Sequence, residues 1–409
     1  MKNIQTTTLN RSTFMFPLAL VLFEFAVYIG NDLIQPAMLR ITQDFGVSAT
    51  WAPSSMSFYL LGGACLAWLL GPLSDRLGRK RVLLAGVLFF ALSCLLTLLT
   101  QNITQFLMLR LLQGIGLTVI SAVGYAAIQE TFEERDAIKV MALMANMSLL
   151  APLLGPVLGA FLIDYVSWHW GFVAIACLAF LSWFGLKAKM PQQQRSVTRQ
   201  PFIYLFDDFK TLYTDKKFLG LSLALPLVNL PLMLWIALSP VMLVEELKFS
   251  SVQYGLAQFP VFIGLILGNV ALIKMIDRYP LGKTIFMGLP IMLLGTLILM
   301  FGVFWQHYLS VCLLVGMTLI SFGEGIGFSV MYRFALMSSE ISKGTVAAGV
   351  SMLLMLSFFV IIEVVRALYV QFHVLAFGLS CFVLIGLWFL KPRAILKQEM
   401  QRRKENHQF

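Results

Sequence analysis

The chain has 409 residues, of which 59% are hydrophobic and only 12% are charged, and its net charge is +10. This composition excludes an ordinary soluble globular protein. Apolar runs of about 20 residues, each long enough to cross ~30 Å of hydrocarbon as a helix, recur from end to end. We therefore predict an all-α integral membrane protein with twelve transmembrane helices. The twelve predicted spans lie near 14–37, 51–73, 80–100, 105–128, 138–163, 168–188, 217–240, 251–274, 282–304, 309–335, 344–370 and 373–391.

The first span carries two acidic side chains, Glu24 and Asp32. A charge near the bilayer centre costs at least ~2.5–3.5 kcal/mol, so both groups must face protein or a water-filled cavity, and both can be neutralised by a proton. A rise of ~1.5 Å per residue separates the two carboxylates by ~12 Å, while Tyr28 and Asn31 lie on the same helix face. We predict that Asp32 is the main proton-binding and substrate-binding switch. Glu24 is predicted to bind cations or a second proton, and both acids are predicted to contact substrate. Tyr28 and Asn31 are predicted to bind substrate as well. In the alternative, both acids are paired with an arginine and never change their protonation state. Arg110 in span four is a candidate for this arginine.

The loop between spans two and three, residues 71–81, reads GPLSDRLGRKR. It resembles the signature of the major facilitator superfamily, G-x-L-x-D-R-x-G-R-[RK]-[RK]. Gly71 is expected to let a helix end approach its neighbour, and Gly78 to permit a tight turn. Asp75 is expected to meet the positive N-terminal end of the eleventh span near 342–344, which would close the cytoplasmic side. A purely topogenic basic loop would explain the arginines but not the acid or the glycines. The residues predicted to act in the conformational switch are Gly71, Asp75, Arg76, Gly78, Arg79 and Arg81.

Two further motifs lie in spans four and five. RLLQGIG, beginning at Arg110, is similar to the R-x-x-Q-G element of drug:proton antiporters and implies that Arg110 takes part in proton coupling. APLLGPVLGA, residues 151–160, is similar to the antiporter signature G-P-x-x-G-G, with Ala160 in place of its last glycine. Small residues allow helices to pack closely, and prolines bend a span where neighbouring groups satisfy its backbone. The residues of this motif predicted to act in the conformational switch are Gly155, Pro156 and Gly159.

The longest polar stretch covers residues 187–217, between spans six and seven. Its prolines, glutamines and mixed charges predict an intracellular linker between two six-helix bundles. A shift of 202 residues aligns Asp75-Arg76 with Asp277-Arg278, together with several glycines, which predicts two parallel pseudo-repeats. The predicted domains are an N-terminal six-helix bundle (1–188), a cytoplasmic linker (189–216), a C-terminal six-helix bundle (217–391) and a cytoplasmic tail (392–409).

Span ten contains a third membrane acid, Glu324, within the sequence GEGIG. The glycines leave space for a close backbone approach, and we predict that Glu324 takes part in proton coupling and substrate binding. In the alternative, it is a buried acid that only forms hydrogen bonds. In span eleven, Glu363 and Arg366 are three residues apart, which predicts a structural ion pair on one helix face.

The basic residues are distributed asymmetrically along the chain. All but four of the 30 lysines and arginines fall on one side if both termini are cytoplasmic, and the exceptions are Arg40, Arg110, Lys248 and Arg366. Cytoplasmic loops of membrane proteins carry an excess of Lys and Arg. We therefore predict a multi-pass protein of the bacterial inner membrane with both termini in the cytoplasm. The positive charge then meets anionic lipid, and no nucleic-acid partner is needed to explain it.

The resemblance extends along nearly the whole chain. The first span, EFAVYIGNDLIQP, is similar to that of MdfA-like multidrug transporters and, more closely, of CraA-type chloramphenicol exporters, as are VGYAAIQE, ALMAN and SKGTV. The resemblance implies the twelve-helix major facilitator fold and proton-coupled export of lipophilic drugs, chloramphenicol and lipophilic cations among them, by a monomer. It also implies substrate contacts at Met144, Leu234 and Trp235. No cofactor or metal is expected, because the proton gradient drives transport and the five cysteines are scattered singly.

Three other functions compete with drug export. A proton-coupled symporter or exporter of a sugar or organic metabolite would use more polar or cationic cavity residues, and the antiporter-like fifth span argues against it. A membrane-integral enzyme would need a nucleophile, an acid–base pair or a metal cluster, and the sequence contains no convincing set. A passive channel would not couple uphill flux to protons. The sequence also lacks a nucleotide-binding P-loop, so ATP-driven transport is not expected.

Overall fold

The computed structural model describes residues 13–191, 202–276, 278–279, 282–339 and 341–390. These ranges are predominantly helical and contain no β-strand, which confirms the all-α prediction. Residues 192–201 of the predicted linker, Lys391 with the predicted tail 392–409, and Asp277 of the second Asp-Arg pair lie outside the described residues. The helices are α1 (Met15–Asp32), α2 (Met38–Asp44), α3 (Ala52–Cys65), α4 (Ala67–Leu77), α5 (Arg79–Leu96), α6 (Ile103–Thr118), α7 (Tyr125–Thr131), α8 (Glu134–Tyr165), α9 (His169–Lys189), α10 (Phe202–Thr214), α11 (Lys216–Ser239), α12 (Ser251–Ile276), α13 (Lys283–Phe304), α14 (Leu309–Leu336), α15 (Lys343–Phe372) and α16 (Val374–Leu390).

Each of the twelve predicted spans falls on helix. In the described part of the chain, nine helical segments are long and apolar enough to cross a membrane, and α3 with α4 forms a tenth that is bent by 46°. The two remaining predicted spans fall on α8 and α16, whose apolar parts, Leu150–Tyr165 and Val374–Phe389, are shorter. In hydrocarbon a backbone must satisfy its own polar groups, so long apolar segments fold as helices.

Contacts divide the chain into two compact units. Among the described residues, the first unit comprises 13–48 and 58–191, and the second comprises Ala49–Ser57 and those from Phe202 onward. The short segment Ala49–Ser57 therefore packs with the second unit, although it precedes most of the first in the sequence.

Three irregular stretches interrupt the spans. α1 ends at Asp32, and the chain turns through residues 33–37 before α2 begins. Pro36 has no N–H and cannot bond the carbonyl of Asp32 four residues earlier, so the helix opens directly after this acid. π-helical turns occupy Val119–Gly124, between α6 and α7, and Pro240–Glu246, after α11. Such turns occur frequently near functional sites.

Each of the two units contains a similar close contact between helices at a glycine. A Cβ added to Gly62 on α3 would overlap the backbone oxygen of Leu111 on α6. A Cβ on Gly264 of α12, which the 202-residue shift aligns with Gly62, would lie 2.5 Å from the backbone oxygen of Thr318 on α14. Both helix pairs therefore approach backbone to backbone at equivalent places, as small residues allow in membrane proteins. This packing provides a physical reason for the internal similarity.

Substitution of Gly62 by Val is expected to prevent close packing of α3 on α6. The added side chain would overlap the Leu111 carbonyl, and overpacking a tight contact costs at least ~1–3 kcal/mol. We expect the variant to give little monodisperse protein in detergent size-exclusion chromatography. The matched control is Gly386→Val on α16, where a Cβ would meet no heavy atom within 4 Å. Equal yields of the two variants would contradict the packing role of Gly62.

Candidate functional site

Asp32 is connected to a buried arginine through its neighbour Asn31. The Asp32 side chain is 4% exposed, and its Oδ1 accepts a hydrogen bond from Asn31 Nδ2 at 3.1 Å. Asn31 Oδ1 in turn accepts from Arg110 Nη2 at 3.0 Å. The described hydrogen bonds therefore place a neutral amide between the acid and the guanidinium, whereas the sequence had suggested Arg110 as a direct partner of the acids.

Arg110 bridges several elements of the first unit. Its Nη1 donates to the Gly30 carbonyl at 3.2 Å and to Gln113 Oε1 at 2.8 Å, in addition to the bond from Nη2 to Asn31. The guanidinium carbon lies 4.4 Å from the centre of the Tyr59 ring. A planar guanidinium with five donors suits this multiple contact. Arg110 thus holds the open end of α1 against α6.

Two side chains that contact Arg110, Gln113 and Tyr59, form further hydrogen bonds within the first unit. Gln113 Nε2 donates to Thr97 Oγ1 at 2.8 Å and to the Ser93 carbonyl at 3.2 Å. Tyr59 Oη donates to the Val27 carbonyl at 2.7 Å. Gln113 belongs to the R-x-x-Q-G element, but its partners could not be predicted from the sequence. Tyr59 was not predicted, because an aromatic residue in an apolar span gives no local indication of its partner.

Glu24 has its own partner, Tyr125. The Glu24 side chain is fully buried, and its Oε1 accepts a hydrogen bond from Tyr125 Oη at 3.0 Å. Tyr125 is the first residue of α7 and directly follows the π-helical turn Val119–Gly124. A π-helical turn changes the direction of the side chains that follow it, and here a phenol meets the acid. Tyr28, between the two acids on α1, is partly buried.

The glycines of the antiporter-like motif contact the open end of α1. A Cβ on Gly155 would lie 2.6 Å from Asp32 Cβ, and a Cβ on Gly159 would lie 2.8 Å from Pro36 Cγ. Neither place has room for a larger side chain, which explains why α8 carries glycine there. Pro156, between them, lies inside α8. The motif therefore packs directly on the acid predicted to carry the proton.

Met144, also on α8, is fully buried in the first unit. Its predicted contact with substrate stays a prediction.

Among the described residues of the second unit, Glu324 on α14 is the buried acid. Asn229 Nδ2 on α11 donates a hydrogen bond to Glu324 Oε1, and no described residue donates to Oε2. Asn229 was not predicted, and its one signal in the sequence is a single amide between the two prolines inside α11. In each unit, an asparagine of the first membrane helix contacts an ionisable residue of the fourth: Asn31 with Arg110, and Asn229 with Glu324.

Trp235 is held inside the second unit. Its Nε1 donates to Gln258 Oε1 at 2.7 Å, and its ring centre lies 6.3 Å from that of Phe377. Gln258 Nε2 donates in turn to Ser239 Oγ at 3.3 Å. These contacts give Trp235 a packing role, and substrate binding by Trp235 and by the equally buried Leu234 stays a prediction.

The loop motif forms an ion-pair cluster in the first unit. Gly78 ends α4 at φ +96°, a conformation that favours glycine, so the predicted tight turn is present. Arg79 pairs with Asp75 and, at 2.8 Å, with Glu130 at the end of α7. Asp75 is exposed, as is Arg81, whereas Arg76 is partly buried. The motif thus ties α4 and α5 to α7.

The expected close approach at Gly71 is not found in the first unit. A Cβ there would meet no heavy atom within 4 Å. The Gly71 carbonyl instead accepts a hydrogen bond from Arg79 Nη1 at 3.3 Å. Gly71 therefore contributes its backbone oxygen, which any residue could supply, rather than the absence of a side chain.

The predicted ion pair of α15 is confirmed. Arg366 Nε lies 2.7 Å from Glu363 Oε2, and Ser57 Oγ donates to Glu363 Oε1 at 2.5 Å. The Arg366 guanidinium carbon lies 4.4 Å from the centre of the Trp51 ring. These contacts explain why the segment Ala49–Ser57 packs with the second unit.

The arrangement suits reversible protonation next to hydrogen-bonding groups. Asp32, Glu24 and Glu324 are buried carboxylates, and each accepts a hydrogen bond from a neutral donor. Such groups can bind a proton, attract a lipophilic cation or accept a hydrogen bond from a ligand. Among the described residues, no group of three or more His, Cys, Asp or Glu side chains is placed to hold a metal ion.

Comparison with known proteins identifies the family of the chain. The model of the Major Facilitator Superfamily matches residues 20–362. The chain is 78% identical over 403 residues, covering 98% of both chains, to the "Chloramphenicol resistance protein CraA" of Acinetobacter baumannii. It is 45% identical over 357 residues, covering 87% of both chains, to the "Multidrug transporter MdfA" of Escherichia coli O157:H7.

Solved structures share the fold at low sequence identity. A D-xylose-proton symporter superposes with a TM-score of 0.74 at 16% identity, covering 93% of this chain and 98% of that one. The human organic anion transporter MFSD10 superposes with a TM-score of 0.69 at 18% identity, covering 95% and 100%. The protein is therefore a multi-pass membrane transporter that belongs to the major facilitator superfamily.

Proposed function

We propose that the protein exports lipophilic drugs from the bacterial cytoplasm in exchange for protons, and that chloramphenicol and lipophilic cations are among its substrates. The names of relatives at 78% and 45% identity, a chloramphenicol resistance protein and a multidrug transporter, support this proposal. The chain would function as a monomer in the inner membrane with both termini in the cytoplasm, and the proton gradient would be its sole source of energy.

The observation that carries the proposal is the environment of Asp32. The acid lies where α1 opens, receives a hydrogen bond from Asn31 and is covered by Gly155 of the antiporter-like motif. A carboxylate placed in this way changes charge when it takes up a proton. The change alters both its hydrogen bonds and its attraction for a bound drug.

Exchange of drug for protons follows if the drug favours the deprotonated form of this site and protons compete with it. Protons from the acidic outer side would neutralise Asp32 and Glu24, and a drug arriving from the cytoplasm would bind as they deprotonate. Reprotonation from outside would then release the drug by alternating access. A ligand shifts a conformational equilibrium only by its differential affinity for the two states, so competition at Asp32 supplies the coupling.

Drug-induced proton release in everted membrane vesicles tests the proposal. Vesicles that contain the protein are energised, and a dye reports the pH gradient while chloramphenicol or tetraphenylphosphonium is added. We expect each drug to dissipate part of the gradient in these vesicles and not in vesicles that lack the protein. If neither drug moves protons, either the substrates or the exchange mechanism is wrong.

Replacement of Glu324 by Gln is expected to impair the export of lipophilic cations more than that of neutral drugs. Gln can still accept the hydrogen bond from Asn229, so packing is preserved while the charge is lost. A charge pair at ~4 Å is worth up to ~4 kcal/mol at an effective dielectric constant of 20, so a loss of about tenfold or more in tetraphenylphosphonium transport is expected.

Chloramphenicol transport by the same Glu324→Gln vesicles is the internal control for this prediction. No decrease for either drug would favour the alternative in which Glu324 only forms hydrogen bonds. An equal decrease for both drugs would contradict selective cation binding and would assign Glu324 to proton coupling instead.

A further inference from the structure

Gln35 belongs to the hydrogen-bond network of Asp32. It lies in the turn between α1 and α2, four residues after Asn31, and its Nε2 donates to Asn31 Oδ1 at 3.4 Å. The same oxygen accepts from Arg110. Because Asn31 Oδ1 can only accept, the Gln35 atom that faces it must be the donor Nε2. This contact therefore assigns the orientation of the Gln35 amide. Its Oε1 therefore points away from Asn31.

This oxygen is buried without a donor. The Gln35 side chain is 1% exposed, and no described residue donates a hydrogen bond to Oε1. Buried amide oxygens are almost always satisfied, because burial without a hydrogen bond is costly. Serine and threonine hydroxyls in the same condition can rotate and donate to a backbone carbonyl, whereas an amide oxygen can only accept. Gln35 is therefore suited to receive a donor that the described residues do not supply.

Asn31 is less free to serve this purpose. Its Oδ1 already accepts from Arg110 and Gln35, and its Nδ2 donates to Asp32. A ligand that offers a hydroxyl or an amide N–H would have to displace one of these bonds. Gln35 Oε1 can accept the same group without giving up a hydrogen bond described for it, at a position in the network of the predicted proton-binding acid.

We propose that Gln35 determines specificity by accepting a hydrogen bond from substrates that carry a hydroxyl or amide N–H. The inference rests on the proposed export function and deepens it. Chloramphenicol carries hydroxyl and amide donors and would gain from this contact. Tetraphenylphosphonium carries no hydrogen-bond donor and would gain nothing. The chain would thus recognise the two kinds of substrate with different residues.

Uptake kinetics in everted vesicles test the inference. Native protein, Gln35→Leu and Gln35→Glu are compared with radiolabelled chloramphenicol and tetraphenylphosphonium. We expect Gln35→Leu to raise the apparent KM for chloramphenicol by about three- to tenfold, the worth of one hydrogen bond, and to leave that for tetraphenylphosphonium unchanged. Gln35→Glu keeps an acceptor but, like Gln35→Leu, loses the Nε2 donor to Asn31. We therefore expect its KM for chloramphenicol to lie closer to the native value than that of Gln35→Leu, because the two variants differ in the acceptor alone. Gln35→Met repeats the loss of the acceptor if Gln35→Leu does not reach the membrane.

The outcomes separate this inference from the proposed function. An equal rise in KM for both substrates would show that Gln35 acts through the proton site or through packing, which overturns the specificity role. An unchanged KM for chloramphenicol in Gln35→Leu would overturn it as well. If native vesicles accumulate neither substrate, the proposed function itself fails, independently of Gln35.

Discussion

Substitution of Asp32 by Asn is expected to reduce drug-induced proton release to the level of vesicles that lack the protein. Asn is nearly isosteric and can still accept the hydrogen bond from Asn31, so the open end of α1 keeps its structure. The amide cannot gain or lose a proton near neutral pH, and the competition between proton and drug disappears. The measurement uses the pH-reporting dye with chloramphenicol and tetraphenylphosphonium, side by side with native protein.

The matched control is Asp44→Asn, in the same unit and also acidic. Asp44 is partly exposed and contacts Arg40 and Trp168 rather than the Asp32 network, so its variant is expected to couple normally. If Asp32→Asn also couples normally, Glu24 or Glu324 must carry the proton, and the role assigned to Asp32 is wrong.

Substitution of Arg110 by Leu is expected to lower the free energy of unfolding by roughly 2–5 kcal/mol and to abolish exchange. The variant removes this donor from acceptors on Gly30, Asn31 and Gln113. Asn31 Oδ1 still accepts from Gln35, and each of the other two costs ~1–3 kcal/mol if it is left unsatisfied. Exchange is lost because Asn31 is no longer held beside Asp32. The measurement is the temperature at which half of the detergent-solubilised protein remains monodisperse, combined with the proton-release assay.

Two controls define what Arg110 contributes. Arg40→Leu removes an arginine from an exposed pair with Asp44, which is worth at most ~1 kcal/mol, and is expected to change stability little. Arg110→Lys keeps the charge, but a single ammonium cannot reproduce the planar fork, so intermediate stability is expected. A native-like melting temperature for Arg110→Leu would contradict the bridging role.

Local features of the sequence predicted several details correctly. Glu363 and Arg366, three residues apart on α15, form the expected ion pair, and Gly78 adopts the expected positive φ. Both depend on residues close in the chain, where helix geometry and backbone sterics determine the outcome. The expectation at Gly71 was wrong in the first unit, because a close approach depends on which distant helix lies opposite.

The partners of the buried acids could not be predicted. Tyr125 lies 101 residues from Glu24, and Asn229 lies 95 residues from Glu324. A tyrosine or an asparagine in an apolar span gives no indication of which helix it will face. Glu24 and Glu324 were identified as unusual, but their hydrogen-bond donors were identified only in the folded units.

The sequence by itself determined the class of the protein, the helical segments and the acids that must be sheltered from lipid. Segment length, apolar content and the cost of a membrane-buried charge are properties of the chain alone. Only the tertiary structure decided how Arg110 reaches Asp32 through Asn31, and that Gly155 packs on the same acid. Helices that are apolar on nearly every side carry little information about their rotation or neighbours. The rotation and the neighbours of each helix are determined by close packing and by the need to satisfy each buried polar group.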